Sequence, residues 1–161
     1  MANLSKALMS LSMTVVTFVL IAWSVQLASA AGPPADLCSL LPAAVLTKTL
    51  GSTYGAPKES VAPRPFANTA QGRDCSYEAP HDRFLLRAYV DPSPAAAAEL
   101  FARLKGFFGK GSTPVTGVGD EAYMDASHGL HVRTGKVRFF IGGAGTDKQL
   151  RDLAGGVVGQ L

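Results

Sequence analysis

The chain has few of the residues that usually build catalytic and metal sites. It contains two cysteines and three histidines, and 17% of its 161 residues are charged. It has neither the Gly-x-Ser-x-Gly sequence of many hydrolases nor a Cys or His cluster with zinc-ligand spacing. Because a closed metal site needs several ligands, we predict neither a metal nor a cofactor. The formal net charge of +3 is too small to indicate a nucleic-acid partner.

The N-terminus has the three parts of a secretory signal. Met1–Lys6 carries one positive charge, Ala7–Val25 has no ionisable side chain, and residues 28–30 read Ala-Ser-Ala, as a signal peptidase requires. We predict a signal peptide over 1–30, export to the periplasm or the medium, and no stable membrane span after cleavage. An uncleaved anchor is the alternative, because the nineteen residues of the apolar segment are long enough to cross a bilayer.

The two cysteines, Cys38 and Cys75, follow the predicted signal. An exported chain enters an oxidising compartment, where an even pair most simply forms one disulfide. A reactive thiol is the alternative, but a low thiol pKa requires electropositive surroundings. Leu37, Leu40 and Leu41 flank Cys38. This apolar setting favours the structural disulfide.

Apolar periodicity predicts helices and strands throughout residues 36–161. The predicted helices have apolar residues at helical spacing and capping residues at their ends, and they cover 41–50, 94–108 and 146–161. The predicted strands alternate in polarity between turn residues, and they cover 73–79, 83–91, 121–127, 130–133 and 136–141. We expect one α+β domain in the order α-β-β-α-β-β-β-α, an antiparallel sheet with its helices packed on one face.

Two segments lack this periodicity. Residues 31–35 form a short lead that contains proline, and residues 52–72 form a long loop with a short strand near Val61. In the second predicted helix, the side chains expected to face the core are Leu100, Leu104, Phe107 and Phe108.

Strand alternation gathers one set of side chains on the sheet face away from the helices. If Phe139 and Ile141 face the helices, Arg138 and Phe140 of the same strand face away from them. Cations and rings on that open face would suit an anionic glycan, a lipid head group or an acidic protein partner. The ordinary alternative is the wet face of an antiparallel sheet, where arginine and tyrosine are common. The candidate binding residues are Arg87, Tyr89, His131, Arg133, Arg138 and Phe140.

The remaining polar clusters do not predict a metal site. His128 and His131 are three positions apart, and odd spacing along a strand sends side chains to opposite faces. Asp120, Glu121 and Asp125 lack the spacing of a calcium-binding loop, and a tight turn after Gly119 explains them better.

Three short motifs resemble those of a family of small exported bacterial domains of unknown function, common among actinobacterial lipoproteins. They are Cys38-Ser39-Leu40-Leu41 before a helix that ends at Leu50-Gly51, then Cys75-Ser76-Tyr77, then Val115-x-Gly117-Val118-Gly119-Asp120-Glu121-Ala122. The resemblance implies a paired Cys38 and Cys75 and a sheet backed by helices, and it brings no catalytic residues. The chain lacks the acylated cysteine of the lipoproteins, so the resemblance implies a soluble or loosely envelope-associated protein.

These patterns together predict an exported, non-catalytic binding or interaction module of the bacterial envelope. Its binding surface would be the sheet face or the long loop after the first predicted helix. Its partner would be an envelope ligand or a protein, with anionic character if the cationic sheet face is that surface. One alternative is a small secreted hydrolase whose site is assembled from His81, His131 and Asp120. Another is a structural envelope protein that associates with its own kind.

Overall fold

A computed structural model describes residues 36–108 and 110–161, and the predicted signal peptide and lead lie outside them. This part of the chain forms one seven-stranded antiparallel sheet in the order β1-β2-β3-β7-β6-β5-β4. The strands are β1 Lys58–Ala62, β2 Gly72–Glu78, β3 Arg83–Val90, β4 Thr113–Val115, β5 Glu121–Met124, β6 Leu130–Thr134 and β7 Val137–Gly143. The predicted strand near Val61 is confirmed as β1, an edge strand.

The helices are α1 Ala43–Leu50, α2 Pro94–Phe108 and α3 Asp147–Val158, and a short 3-10 turn over Leu37–Leu40 precedes them. Helix α1 ends at Gly51, whose φ of 81° is the left-handed conformation that glycine adopts without steric cost. The predicted capping box is confirmed at α3, where Thr146 and Gln149 bond each other's backbone N–H.

The predicted α+β class, the antiparallel sheet and the disulfide are confirmed. The disulfide joins Cys38, in the turn before α1, to Cys75 in β2, and both residues are buried in the core. One strand was not predicted, because β4 has only three residues and includes Pro114. A run that short carries no periodicity, and proline is tolerated on an edge strand.

Helix α2 lies on the opposite face of the sheet from α1 and α3, which differs from the expected arrangement. On the first face, Leu86, Ile141 and Leu130 share one core with α3. On the second face, Phe101 of α2 packs edge-on against Tyr123, with ring centroids 5.2 Å apart. The second face carries aromatic residues of its own, so it also has apolar surface to bury.

The expected apolar stripe of α2 is wrong at its C-terminal end. Ala97, Phe101 and Leu104 are the buried residues, whereas Phe107 is 75% exposed and Phe108 is 53% exposed. Helical spacing places Phe108 on the buried stripe, but at that point the helix borders an open cavity. Within the described residues, no helix has the length and hydrophobicity needed to cross a bilayer.

Candidate functional site

All six candidate binding residues lie on the sheet face that α2 covers in part. Phe140 of β7 is opposite both Arg87 of β3 and His131 of β6. Two residues earlier in β7, Arg138 is opposite both Tyr89 of β3 and Arg133 of β6. The structure therefore brings together the residues that strand alternation grouped.

This face is not open as expected, because α2 covers part of it. Tyr89 is 8% exposed and Arg138 is 2% exposed, so neither is freely available to a partner. The phenol of Tyr89 donates a hydrogen bond of 2.7 Å to the carbonyl of Pro63, in the segment after β1. The guanidinium carbon of Arg138 lies 5.1 Å from the centre of the Tyr89 ring. Tyr89 therefore joins the sheet to this segment, and Arg138 packs against Tyr89.

Each of the three candidate arginines, Arg87, Arg133 and Arg138, has an aspartate partner, so the face is less cationic than expected. Arg87 donates two hydrogen bonds of 2.7 Å to Asp74, and this bonding raises the pKa of Arg87. Arg133 donates one of 2.9 Å to Asp120.

The third pair, Arg138 with Asp91, is almost completely buried, with side chains 3% and 0% exposed. Two hydrogen bonds join the two side chains. Sequence reasoning missed Asp74 and Asp91 as partners, because neither lies near its arginine in sequence. An ion pair this deeply buried has a structural role and leaves no charge for a ligand.

A cavity of about 470 Å³ opens on this face, between the sheet, the end of α2 and the segment after β1. We call it the face groove. Its apolar walls include Leu104 and Phe108 of α2 and Phe140 of β7, and its polar lining includes Arg64, Ser127 and His131. Ligand sites of this kind have volumes of roughly 300–1,000 Å³ and a few polar groups among apolar ones.

A second hollow of about 430 Å³ adjoins the face groove on its β2 side. Arg87 and Phe140 line both. The other residues that line the second hollow include the polar Ser60, Asp74 and Ser76 and the apolar Leu85. The two hollows therefore lie side by side at Arg87 and Phe140.

His131 is held in one orientation at the edge of the face groove. Its Nε2 lies 2.9 Å from Oδ2 of Asp125. The other carboxylate oxygen, Oδ1, accepts hydrogen bonds from the backbone N–H groups of Ser127 and Gly129. The imidazole also stacks on Tyr123 at 4.6 Å, with the ring planes only 8° apart. This bonding fixes the ring before any ligand arrives.

The electrostatics around His131 favour a neutral imidazole beside a charged carboxylate. Burial lowers the pKa of His131 below its ordinary value, although the bond to Asp125 opposes this shift. Burial alone would raise the pKa of Asp125, but hydrogen bonds from Gly129, His131 and Ser127 outweigh it and lower that pKa. Burial and the nearby Asp125 charge raise the pKa of Tyr123 to about 12, so its phenol stays protonated.

The residues of the hydrolase alternative are not assembled into a catalytic site. His81 is exposed in the turn between β2 and β3, and Asp120 bonds Arg133 and the N–H of Gly135. His131 bonds Asp125 instead of Asp120. In the described part of the chain, no hydroxyl or thiol is hydrogen bonded to His131. Ser127 lines the same groove, and its backbone N–H donates a hydrogen bond to Asp125.

Among the residues that the structure describes, the histidines do not gather metal ligands either. Nδ1 of His128 lies 3.2 Å from Asp147 at the surface, and His131 is engaged with Asp125. One other group of possible ligand atoms, from Asp36, Cys38 and Glu59, lies within 4.8 Å. The Cys38 sulfur belongs to the disulfide, so this group offers only two carboxylates.

Neither a family model nor a curated protein matches the chain. The resemblance to small exported bacterial domains therefore stays a prediction that depends on its short motifs alone.

Proposed function

We propose that the chain is an exported, non-catalytic binding module of the bacterial envelope and that the face groove is its ligand site. The observation that carries this proposal is the groove itself, a cavity of about 470 Å³ on the face that holds the six candidate residues. Export rests on the signal pattern of residues 1–30.

The polar groups of the groove are held in position by the protein itself, which supports a binding role. Asp74 holds Arg87, Asp125 holds His131, and the carbonyl of Pro63 holds Tyr89. Side chains that are already ordered lose little entropy when a ligand binds. A preformed site of this kind favours tight binding by a small molecule over an adaptable contact.

The lining favours an amphipathic ligand over a polyanionic glycan. Arg87 is already neutralised by Asp74, so the groove does not present an array of free cations. Its apolar lining includes Leu104, Phe108 and Phe140, and the exposed Arg64 has no ion-pair partner among the described residues. A ligand with an apolar or aromatic body and one acidic or accepting group would match this lining.

The test is native mass spectrometry of the protein recovered from the envelope and medium of an expressing host. Ser127→Trp fills the groove with a large side chain, and Thr116→Trp adds the same side chain at an exposed position outside it. We expect the parent chain and Thr116→Trp to carry a small-molecule adduct that Ser127→Trp loses. Bare protein in every case, or an adduct that Ser127→Trp retains, would contradict the groove as ligand site.

The same spectra test export and self-association. A species that begins at Ala31 and is two hydrogens lighter than the reduced chain is expected after cleavage and disulfide formation. A mass that includes residues 1–30 would identify the anchored alternative. A mass that doubles with concentration, without an adduct, would favour the self-associating structural protein.

A further inference from the structure

The C-terminal end of α2 exposes two adjacent phenylalanines. Phe107 is 75% exposed and Phe108 is 53% exposed, and their ring centroids are 5.3 Å apart in an edge-on arrangement. Large exposed rings side by side on a folded surface indicate a contact with something outside the chain. Phe107 is not among the residues that line the face groove, so a ligand there does not account for it.

The sequence around these rings is basic and free of acidic residues. Residues 100–119 include Arg103, Lys105 and Lys110 but no aspartate or glutamate, and the same absence holds for residues 60–73. Lys105 is engaged with Glu121 at 3.6 Å. Arg103 and Lys110 have no ion-pair partner among the described residues.

Two contacts bring these segments together. The guanidinium of Arg103 lies 4.0 Å from the centre of the Phe66 ring, which joins α2 to the segment after β1. Arg64 of that segment and Phe108 of α2 line the same cavity. We call the resulting surface the α2 tip, and its residues are Arg64, Phe66, Arg103, Phe107, Phe108 and Lys110.

We propose that the α2 tip docks the protein on an anionic phospholipid surface. Aromatic rings are stable at the boundary between head groups and acyl chains, while nearby arginine and lysine attract the lipid phosphates. Two adjacent exposed rings beside basic side chains match that boundary, which favours lipid over an acidic protein. Because Phe108 also lines the face groove, docking would bring the mouth of that groove to the lipid.

The first experiment measures whether the side chain at position 107 inserts into the lipid. Phe107→Trp places a fluorescent side chain at the tip, and Val45→Trp places one on α1, where Val45 is 43% exposed on the other side of the sheet. The parent chain is measured alongside, because its one tryptophan, Trp23, lies in the predicted signal. Vesicles of brominated phosphatidylglycerol should quench the fluorescence added by Phe107→Trp but not that added by Val45→Trp. Brominated phosphatidylcholine should quench neither.

The second experiment measures partitioning onto phosphatidylglycerol vesicles. Phe107→Ser should weaken it about tenfold, the loss expected for partial burial of one ring. Arg103→Gln with Lys110→Gln should weaken it by about 25-fold, since each cation near an anionic surface contributes about fivefold. Val45→Ser is the control for the ring, and Lys48→Gln with Arg151→Gln is the control for the cations. All three positions are exposed and away from the tip, so these changes should leave partitioning unaffected. Unchanged urea midpoints would verify that every variant is folded.

Equal quenching at both positions, or partitioning that is the same on both lipids, would overturn the proposal. A second contrary result would be that the chain does not bind vesicles but does bind an acidic protein, and that this binding is lost in Arg103→Gln with Lys110→Gln. The partner of the α2 tip would then be a protein. These outcomes are independent of the face groove, whose test uses Ser127 and a retained adduct. A negative result for the α2 tip therefore does not contradict the face groove as ligand site. A groove without a retained adduct likewise does not contradict the lipid contact.

Discussion

Asp74, Asp91 and Asp120 determine what the arginines of the sheet face contribute. Arg138 is buried with Asp91, whereas the Arg133 pair is reached by solvent through Asp120, whose side chain is 49% exposed. A buried guanidinium depends on its carboxylate, because that partner compensates most of the cost of its desolvation. An exposed ion pair contributes much less to the free energy of unfolding, because water solvates both groups when they separate.

We predict that Asp91→Ala lowers the free energy of unfolding by about 3–5 kcal/mol, since it leaves a charged Arg138 buried without its partner. Asp152→Ala removes a carboxylate from an exposed pair with Lys148 and should cost at most about 1 kcal/mol. Urea denaturation of both variants measures the difference. Similar midpoints for the two would show that the buried pair is not needed for stability.

His131 should make stability fall in mildly acidic solution. Its folded-state pKa lies below the ordinary value of 6.5, chiefly because it is buried. Below about pH 6.5 the unfolded chain therefore binds more protons than the folded chain, so the free energy of unfolding decreases as the pH falls.

We expect His131→Asn to reduce the fall in the urea midpoint between about pH 7 and about pH 5, the range in which histidine titrates. His81→Asn is the control, because His81 is exposed in the turn between β2 and β3. The same pH dependence in both variants would contradict a role for His131.

At the scale of elements, the edges of the sheet and the placement of α2 were the hardest to predict. Strands β2, β3, β6 and β7 begin and end within a few residues of their predicted limits. Their apolar and polar residues alternate, and turn residues separate them, so local signals were sufficient. The face that α2 covers depends on which sheet surface has apolar area left to bury.

Helix α3 continues through Gly155 and Gly156, although glycine weakens a helix. A methyl group added at Gly155 would meet nothing within 4 Å except its chain neighbours and the backbone of its own helix. We therefore predict that Gly155→Ala raises the free energy of unfolding by about 0.5–1 kcal/mol, by reducing the freedom of the unfolded chain.

Gly143→Ala is the contrasting variant for this prediction. Gly143 has a φ of 133°, and a Cβ there would overlap the carbonyl oxygen of Arg83. Thermal denaturation should show a higher Tm for Gly155→Ala and a lower one for Gly143→Ala. A lower Tm for Gly155→Ala would mean that α3 needs glycine for a reason other than helix formation.

At the scale of the whole molecule, the disulfide connects the N-terminal turn to the sheet. It closes a loop between residues 37 positions apart. Loop entropy predicts that its loss costs about 4 kcal/mol. We expect the urea midpoint to fall when Cys38 and Cys75 are reduced, with mass spectrometry used to verify free thiols. An unchanged midpoint in the reduced protein would contradict this role.

Several properties followed from the sequence by itself. The helix limits come from caps such as Thr146, and the grouping of the six candidate residues comes from the two-residue period of strands. The disulfide follows from two cysteines in a chain with a secretory signal pattern. These signals are local or compositional, so they can be read without knowing which strands are neighbours.

Only the tertiary structure decided the chemistry of the candidate site. Asp91 and Arg138 are 47 positions apart, and their pairing depends on β3 and β7 being neighbours in a particular register. The face groove exists because α2 and the segment after β1 meet over the sheet. Strand order, register and helix placement are set by the burial of the whole apolar surface at once, and no short stretch of sequence contains that information.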